Sequence, residues 1–117
     1  MRSENITEAK AFDFAVRIVK LYKHLTEEKR EFVLSKQLLR SGTSIGANVA
    51  EAERGQTKAD FYTKMSIALK EANETDYWLR LLHKTDYLTD NEFNSIYKDI
   101  DEIISLLVSI TKTIKNQ

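Results

Sequence analysis

The sequence predicts an all-α fold, an up-down-up-down antiparallel four-helix bundle, and three observations predict it. The 117 residues include no proline and only three glycines, in a composition rich in leucine, isoleucine, alanine, lysine and glutamate that leans helical. Apolar residues recur at alternating spacings of four and three, which draws one stripe along a helix. Three short polar breaks divide the chain, and short links make consecutive helices antiparallel neighbours. A chain of this size suits one domain with one core, residues 1–117.

The first helix is expected at about 6–24, with Phe12, Ala15, Val16, Val19 and Tyr22 as its stripe. Thr26, followed by Glu27 and Glu28, reads as the N-cap of a second helix over about 27–54, since acids favour a helix N-terminus. Gly55 suits the left-handed position that closes that helix, and Thr57 suits the next N-cap. The third helix, about 58–84, carries Phe61, Met65, Ala68, Ala72, Thr75, Leu79 and Leu82. Thr89 and Glu92 form a capping-box pattern ahead of the fourth, about 90–115, with Phe93, Ile96, Ile100, Ile103, Leu107, Ile110 and Ile114. Helices this long make a rod of about 40 Å.

Residues 41–52, SGTSIGANVAEA, are unusual for a helix interior, because glycine costs about 1 kcal/mol there relative to alanine. The stripe Leu34, Leu38, Ser41, Ile45, Asn48, Ala52 nevertheless runs through them unbroken, so they are expected to be helical. A phosphate-binding loop does not fit, since Gly42 and Gly46 lack both the Lys-Ser/Thr ending and a preceding strand. Close packing does: Gly42, Gly46, Ala47 and Ala50 remove bulk so that another helix backbone can approach. Ser41, Ser44 and Asn48 then supply short hydrogen bonds at that contact. Asn48 is expected to face another helix and bond Glu71 or Glu74, with Arg40 an ionic partner for one of those acids.

Reactive chemistry is sparse. The absence of cysteine excludes disulfides and thiolate metal sites. Neither His24 nor His83 follows a glutamate by three residues, as a di-iron bundle site requires; each sits near a helix end, where a cation complements the dipole. Ser41 and Ser44 have no histidine in sequence context to activate them. The expectation is a protein that is not an enzyme, with no catalytic, metal or cofactor-binding residues and no small-molecule substrate. A polar N-terminus and the lack of an apolar run near the roughly 20 residues of a membrane span point to a cytoplasmic protein.

Apolar surface exceeds what single stripes need: Ile67, Tyr77, Trp78 and Leu81 in the third helix, and Tyr97, Ile104 and Leu106 in the fourth. Such surplus marks a partner surface, and self-association is its commonest form, so Tyr77, Trp78 and Tyr97 are expected at an oligomer interface. Lysine plus arginine equals aspartate plus glutamate at 18 each, which leaves no global basic field. Locally, Arg54, Lys58 and Lys64 bracket Gly55, and Lys70, Arg80 and Lys84 follow. Repeated around a ring, that patch could contact phosphates, the alternative reading as an RNA- or DNA-binding accessory module.

The pattern Gln37-x-x-Arg40-Ser41-x-x-Ser44-Ile45-x-x-Asn48-Val49-Ala50-Glu51, then Phe61, then Ile67-Ala68-Leu69-Lys70-Glu71-x-x-Glu74-Thr75-x-Tyr77-Trp78-Leu79, resembles a known family. It is the bacterial four-helix bundle family encoded by intervening sequences in 23S ribosomal RNA genes, often labelled S23 ribosomal proteins. The likeness runs from about Phe12 into the fourth helix. The resemblance implies a four-helix bundle that assembles into homo-oligomeric rings, pentamers among them. A related branch is the accessory protein of diversity-generating retroelements, thought to contact nucleic acid and a reverse transcriptase. Many relatives follow Ala-Glu with glycine where this chain has Ala52, and the retroelement relatives are typically basic where this chain is neutral.

Overall fold

A computed structural model describes residues 4–117, with side chains from Ile6 onward. It contains α1 (Glu4–Glu27), α2 (Leu34–Glu53), α3 (Lys58–Lys84) and α4 (Asp90–Lys115). Each helix packs against the next, and α4 returns to α1, which closes an antiparallel four-helix bundle. The rod measures 45 × 23 × 20 Å.

The helix ends show which local signals governed. Thr57 caps α3 by accepting the Asp60 N–H at 3.0 Å. Thr89 and Glu92 complete the capping box of α4, at 3.2 and 2.8 Å. Thr26, by contrast, does not start α2. It lies inside α1, its hydroxyl donating to the Tyr22 carbonyl at 3.0 Å, because the buried run continues to Leu25 and holds the chain helical past residue 24. A bend through Arg30, at φ 57°, then leads to α2, which begins at Leu34 and not at residue 27.

The cap of α2 is Glu31. Its carboxylate accepts the N–H groups of Val33, Leu34 and Ser35 at 3.1, 2.9 and 2.7 Å, and the Ser35 hydroxyl donates to the Glu31 carbonyl at 2.8 Å. First-turn N–H groups have no partner within their own helix, and here one buried carboxylate satisfies three of them. Burial alone would raise the Glu31 pKa; the bonds from Leu34, Ser35 and Val33 outweigh it and leave the carboxyl below its ordinary value.

Gly55 is not left-handed. No described glycine has positive φ, and α2 closes through Arg54 at φ −106°, ψ 9°, with Gly55 N–H bonding the Ala52 carbonyl at 3.1 Å. What Gly55 supplies is room, since a Cβ there would stand 3.2 Å from both Ala52 O and Asp60 Cβ. The left-handed closure occurs instead after α3, at Asp86 (φ 70°). Tyr87 N–H reaches back to the Leu82 carbonyl and Asp86 N–H to that of His83, at 2.9 and 3.1 Å, the pair of hydrogen bonds of a glycine-type C-terminal motif. Aspartate tolerates this conformation better than most side chains do.

The stripes of α2, α3 and α4 line the core largely as expected: Leu38, Ser41, Ile45 and Ala52 are buried, as are Met65 through Leu82 of the third stripe and Ile96, Ile100, Ile103 and Leu107 of the fourth. The first stripe is out of phase. Thr7, Ala11, Phe14, Ile18 and Leu25 face inward, whereas Phe12, Val16 and Val19 are exposed and Ala15 and Tyr22 half-buried. Both registers of α1 are apolar, and the buried one seats Ile18 and Ala11 against Gly42 and Gly46 of α2.

Candidate interaction site

Residues 41–52 are helical, within α2, and two sides of that helix do different work. One side receives α1. A Cβ on Gly42 would lie 2.8 and 2.9 Å from the γ carbons of Ile18, and one on Gly46 would lie 3.3 Å from the Ala11 carbonyl oxygen. Contacts below about 3 Å cannot be accommodated without movement, so α1 rests where side chains on α2 would have stood. The two glycines, one turn apart, meet Ile18 and Ala11, two turns apart, in antiparallel order.

The other side meets α3 with polar groups. Thr75 Oγ1 hydrogen-bonds Ser41 Oγ across the seam at 2.9 Å and the Glu71 carbonyl oxygen at 2.8 Å on its own helix. Ser41 and Thr75 are fully buried, so each hydroxyl is the other's substitute for water. Outside them, Arg40 donates to Glu71 Oε1 at 3.2 Å and to Glu74 Oε2, which also accepts the Trp78 indole N–H at 3.0 Å. The Trp78 bond and the Arg40 guanidinium hold the Glu74 carboxyl below its ordinary pKa, and Glu74 in turn raises that of Arg40.

Asn48 does not join this network. Its Nδ2 donates to the Ser44 carbonyl of its own helix at 2.8 Å, and Ser44 Oγ likewise bonds the Arg40 carbonyl at 2.6 Å. Glu71 and Glu74 are engaged by Arg40, whose forked guanidinium reaches both. Of the expected set, Ser41, Glu71 and Glu74 therefore join α2 to α3, Gly42 and Gly46 join it to α1, and Ser44 and Asn48 stay local.

Among the three aromatics expected at an interface, Tyr77 alone is exposed, at 50%. Trp78 is half-buried against the core and edge-on to Tyr77, and Tyr97 stacks on Phe93 at 4.8 Å. Burial pushes the Tyr97 phenol up, with hydrogen-bonded Asp76 adding to the shift. Ile67, Leu81, Ile104 and Leu106 are half-buried, so the surplus of α3 and α4 is mostly absorbed by the bundle. Besides Phe32 and Val33 in the α1–α2 loop region, an exposed apolar line lies on α1: Phe12 is 68% exposed, Val16 39% and Val19 37%, spaced to form one ridge. The signal for it in the sequence is that α1 carries two apolar stripes, of which a bundle corner can bury one.

The basic patch is partly neutralised. Arg54 pairs with Glu8 at 3.5 Å and Lys64 with Glu51 at 2.8 Å; Lys58 opens α3 and is exposed, and Arg80 pairs with Asp76 at 3.1 Å. His83 stacks on Phe93 at 4.1 Å with its Nε2 2.7 Å from Asp90, and His24 points its Nε2 toward Glu92 at 3.9 Å. Both histidines stand in the last turns of their helices, as the dipole favours. Among the described residues no group of three or more His, Asp or Glu side chains is placed to hold a metal, and no helix is long and apolar enough to cross a membrane.

An all-helical bundle with a glycine seam on one side of α2 and a hydroxyl-and-arginine seam on the other defines the class of protein. The family model of the 23S rRNA-intervening sequence protein matches residues 3–109, and the chain belongs to that family. It is similar to a crystal structure from Bacteroides thetaiotaomicron VPI-5482, described as a protein with unknown function from the S23 ribosomal protein family. The two share 58% identity with a TM-score of 0.92, over 95% of this chain and 99% of that one. No curated protein matches the chain.

Proposed function

We propose that this protein is a non-enzymatic, self-associating helical scaffold, and that copies meet through the outward ridge of α1. The carrying observation is Phe12, Val16 and Val19, three large apolar side chains one helical turn apart along the exposed side of α1. Scattered surface hydrophobics need no explanation, but an aligned set is the usual mark of a partner surface. A second copy is the commonest partner, and the ring-forming habit implied by the family resemblance supports it. The pairing of Arg54 and Lys64 with carboxylates weighs against the phosphate-binding alternative, because those cations would first have to give up a partner.

Light scattering coupled to size exclusion tests the reading at micromolar concentration. The expected result is one species at a multiple of 13.6 kDa, converted to monomer by Phe12→Asp with Val16→Asp while helical circular dichroism is retained. A wild-type monomer would end the proposal.

A further inference from the structure

The four seams of the bundle are not equally closed. α1 and α4 make the sparsest contact of any neighbouring pair. Grooves line this seam: one beside Leu21, His24, Leu88 and Ile96, a second beside Phe14 and Ile103, and a third beside Thr7, Leu106 and Ile110. Across the outside runs a ladder of charges. Lys10 meets Glu102 at 3.2 Å, and Arg17 meets Asp99 at 2.6 Å and donates to Ser95 Oγ at 2.9 Å. Beyond these two ion pairs the polar line continues to His24, whose Nε2 lies 3.9 Å from Glu92. Lys10, Arg17 and His24 are spaced by seven, as are Glu92 and Asp99, so the rungs fall on one line of each helix. The ladder is partly solvent-exposed, with Lys10, Arg17 and His24 side chains 38–41% accessible.

From this arrangement we infer that the α1–α4 seam is an electrostatic gate, the edge along which the bundle opens first, held shut by the charge ladder. Each exposed pair contributes little by itself and is weakened by salt. The other seams carry exposed pairs too, Arg54–Glu8 across α1–α2 and Lys64–Glu51 with Arg40–Glu71 across α2–α3. But they also have the glycine contact and the buried hydroxyls, which salt does not screen and the sparsely packed α1–α4 edge lacks. Opening leaves α1 on α2 and α4 on α3, and gives access to the inner line of Phe14, Ile18, Ile100 and Ile103. The gate would make the interior reachable without global unfolding.

The chain has no cysteine, so single introduced thiols report access cleanly. Ile103→Cys places a thiol under the ladder, and Ser41→Cys places one in the α2–α3 seam, which stays closed when the α1–α4 edge parts. Between 50 mM and 1 M sodium chloride, labelling of Ile103→Cys by a disulfide reagent is expected to accelerate about fivefold, from two weak ion pairs screened together. Ser41→Cys is expected to change by less than about twofold under the same conditions. Equal acceleration at both sites, or none at Ile103→Cys, overturns the gate. At low salt, adding Arg17→Asp to Ile103→Cys should speed labelling, and adding Asp99→Arg to that pair should slow it again. If Arg17→Asp loses its helical signal, Arg17→Ala reads the same rung: an acceleration of about threefold supports the gate, and an unchanged rate overturns it.

Discussion

α1 has two neighbours, and it meets them by opposite means. Toward α2 it sits against glycines, close enough that a single methyl on Gly42 would collide with Ile18. Toward α4 it stands off, across grooves bridged by Lys10 and Arg17. At the glycines the first contact is steric and short-ranged, crowded by any added atom and not screened by salt, with Arg54–Glu8 the ion pair beside it. The second is coulombic and exposed, so it tolerates substitution and depends on the solution. One helix thus carries a seam set by steric fit and a seam bridged by exposed charge, on faces separated by its inner line.

The comparison can be broken most forcefully at Gly42. Gly42→Leu is expected to cost about 3 kcal/mol or more, at the upper end of overpacking, measured by urea denaturation. Gly42→Ala tests the sign: helix propensity alone favours it by about 1 kcal/mol, so a net loss of stability shows that Ile18 decides the site. An Ile18→Val partner substitution should recover part of that loss.

Glu31 comes next, at the loop that delivers α1 to α2. Glu31→Ala strands the N–H groups of Val33, Leu34 and Ser35 and should destabilise by about 2 kcal/mol, while Glu31→Gln keeps an acceptor and should cost about half as much. Equal losses would show that the carboxylate's bonds are not what matters.

Acid should act in the same direction. Glu31, Glu74 and Glu92 all have pKa values lowered in the folded protein. A depressed pKa gives stability that is fully present above the unfolded glutamate value of about 4.3 and is lost as pH falls through the lower folded values. Urea midpoints should therefore be nearly level from pH 7 to 5 and drop toward pH 3. In Glu31→Gln the drop should be shallower.

The smallest effect is expected at the open seam. Arg17→Ala should cost less than about 1 kcal/mol at low salt and close to nothing in 1 M sodium chloride. A loss that persists undiminished in high salt would mean that Arg17 acts through packing, and the contrast between the two seams would narrow.

Much of the fold was legible because its signals are local. The caps at Thr57 and Thr89, the third and fourth stripes and the helicity of 41–52 each depend on residues within a turn or two of one another. The same locality explains the failures. Thr26 followed by two acids is a good cap pattern, and only the burial of Leu25 beneath the bundle keeps it inside α1. Asn48 had the right spacing to face α3, but the acids there were taken by Arg40, a competition that spacing does not record.

By itself the sequence determined four helices, three of their inward faces, and that glycines in α2 would admit a close neighbour. Hydrogen bonds within a turn and the 3.6-residue period are properties of one segment, so one segment suffices to read them. Tertiary structure alone decided that α1 is the helix on those glycines, that Ser41 bonds Thr75, and that Phe12, Val16 and Val19 stay outside. Those outcomes depend on which surfaces fit when four rods are brought together. Both stripes of α1 are apolar, and only the packed bundle shows that the one seated on Gly42 and Gly46 is buried.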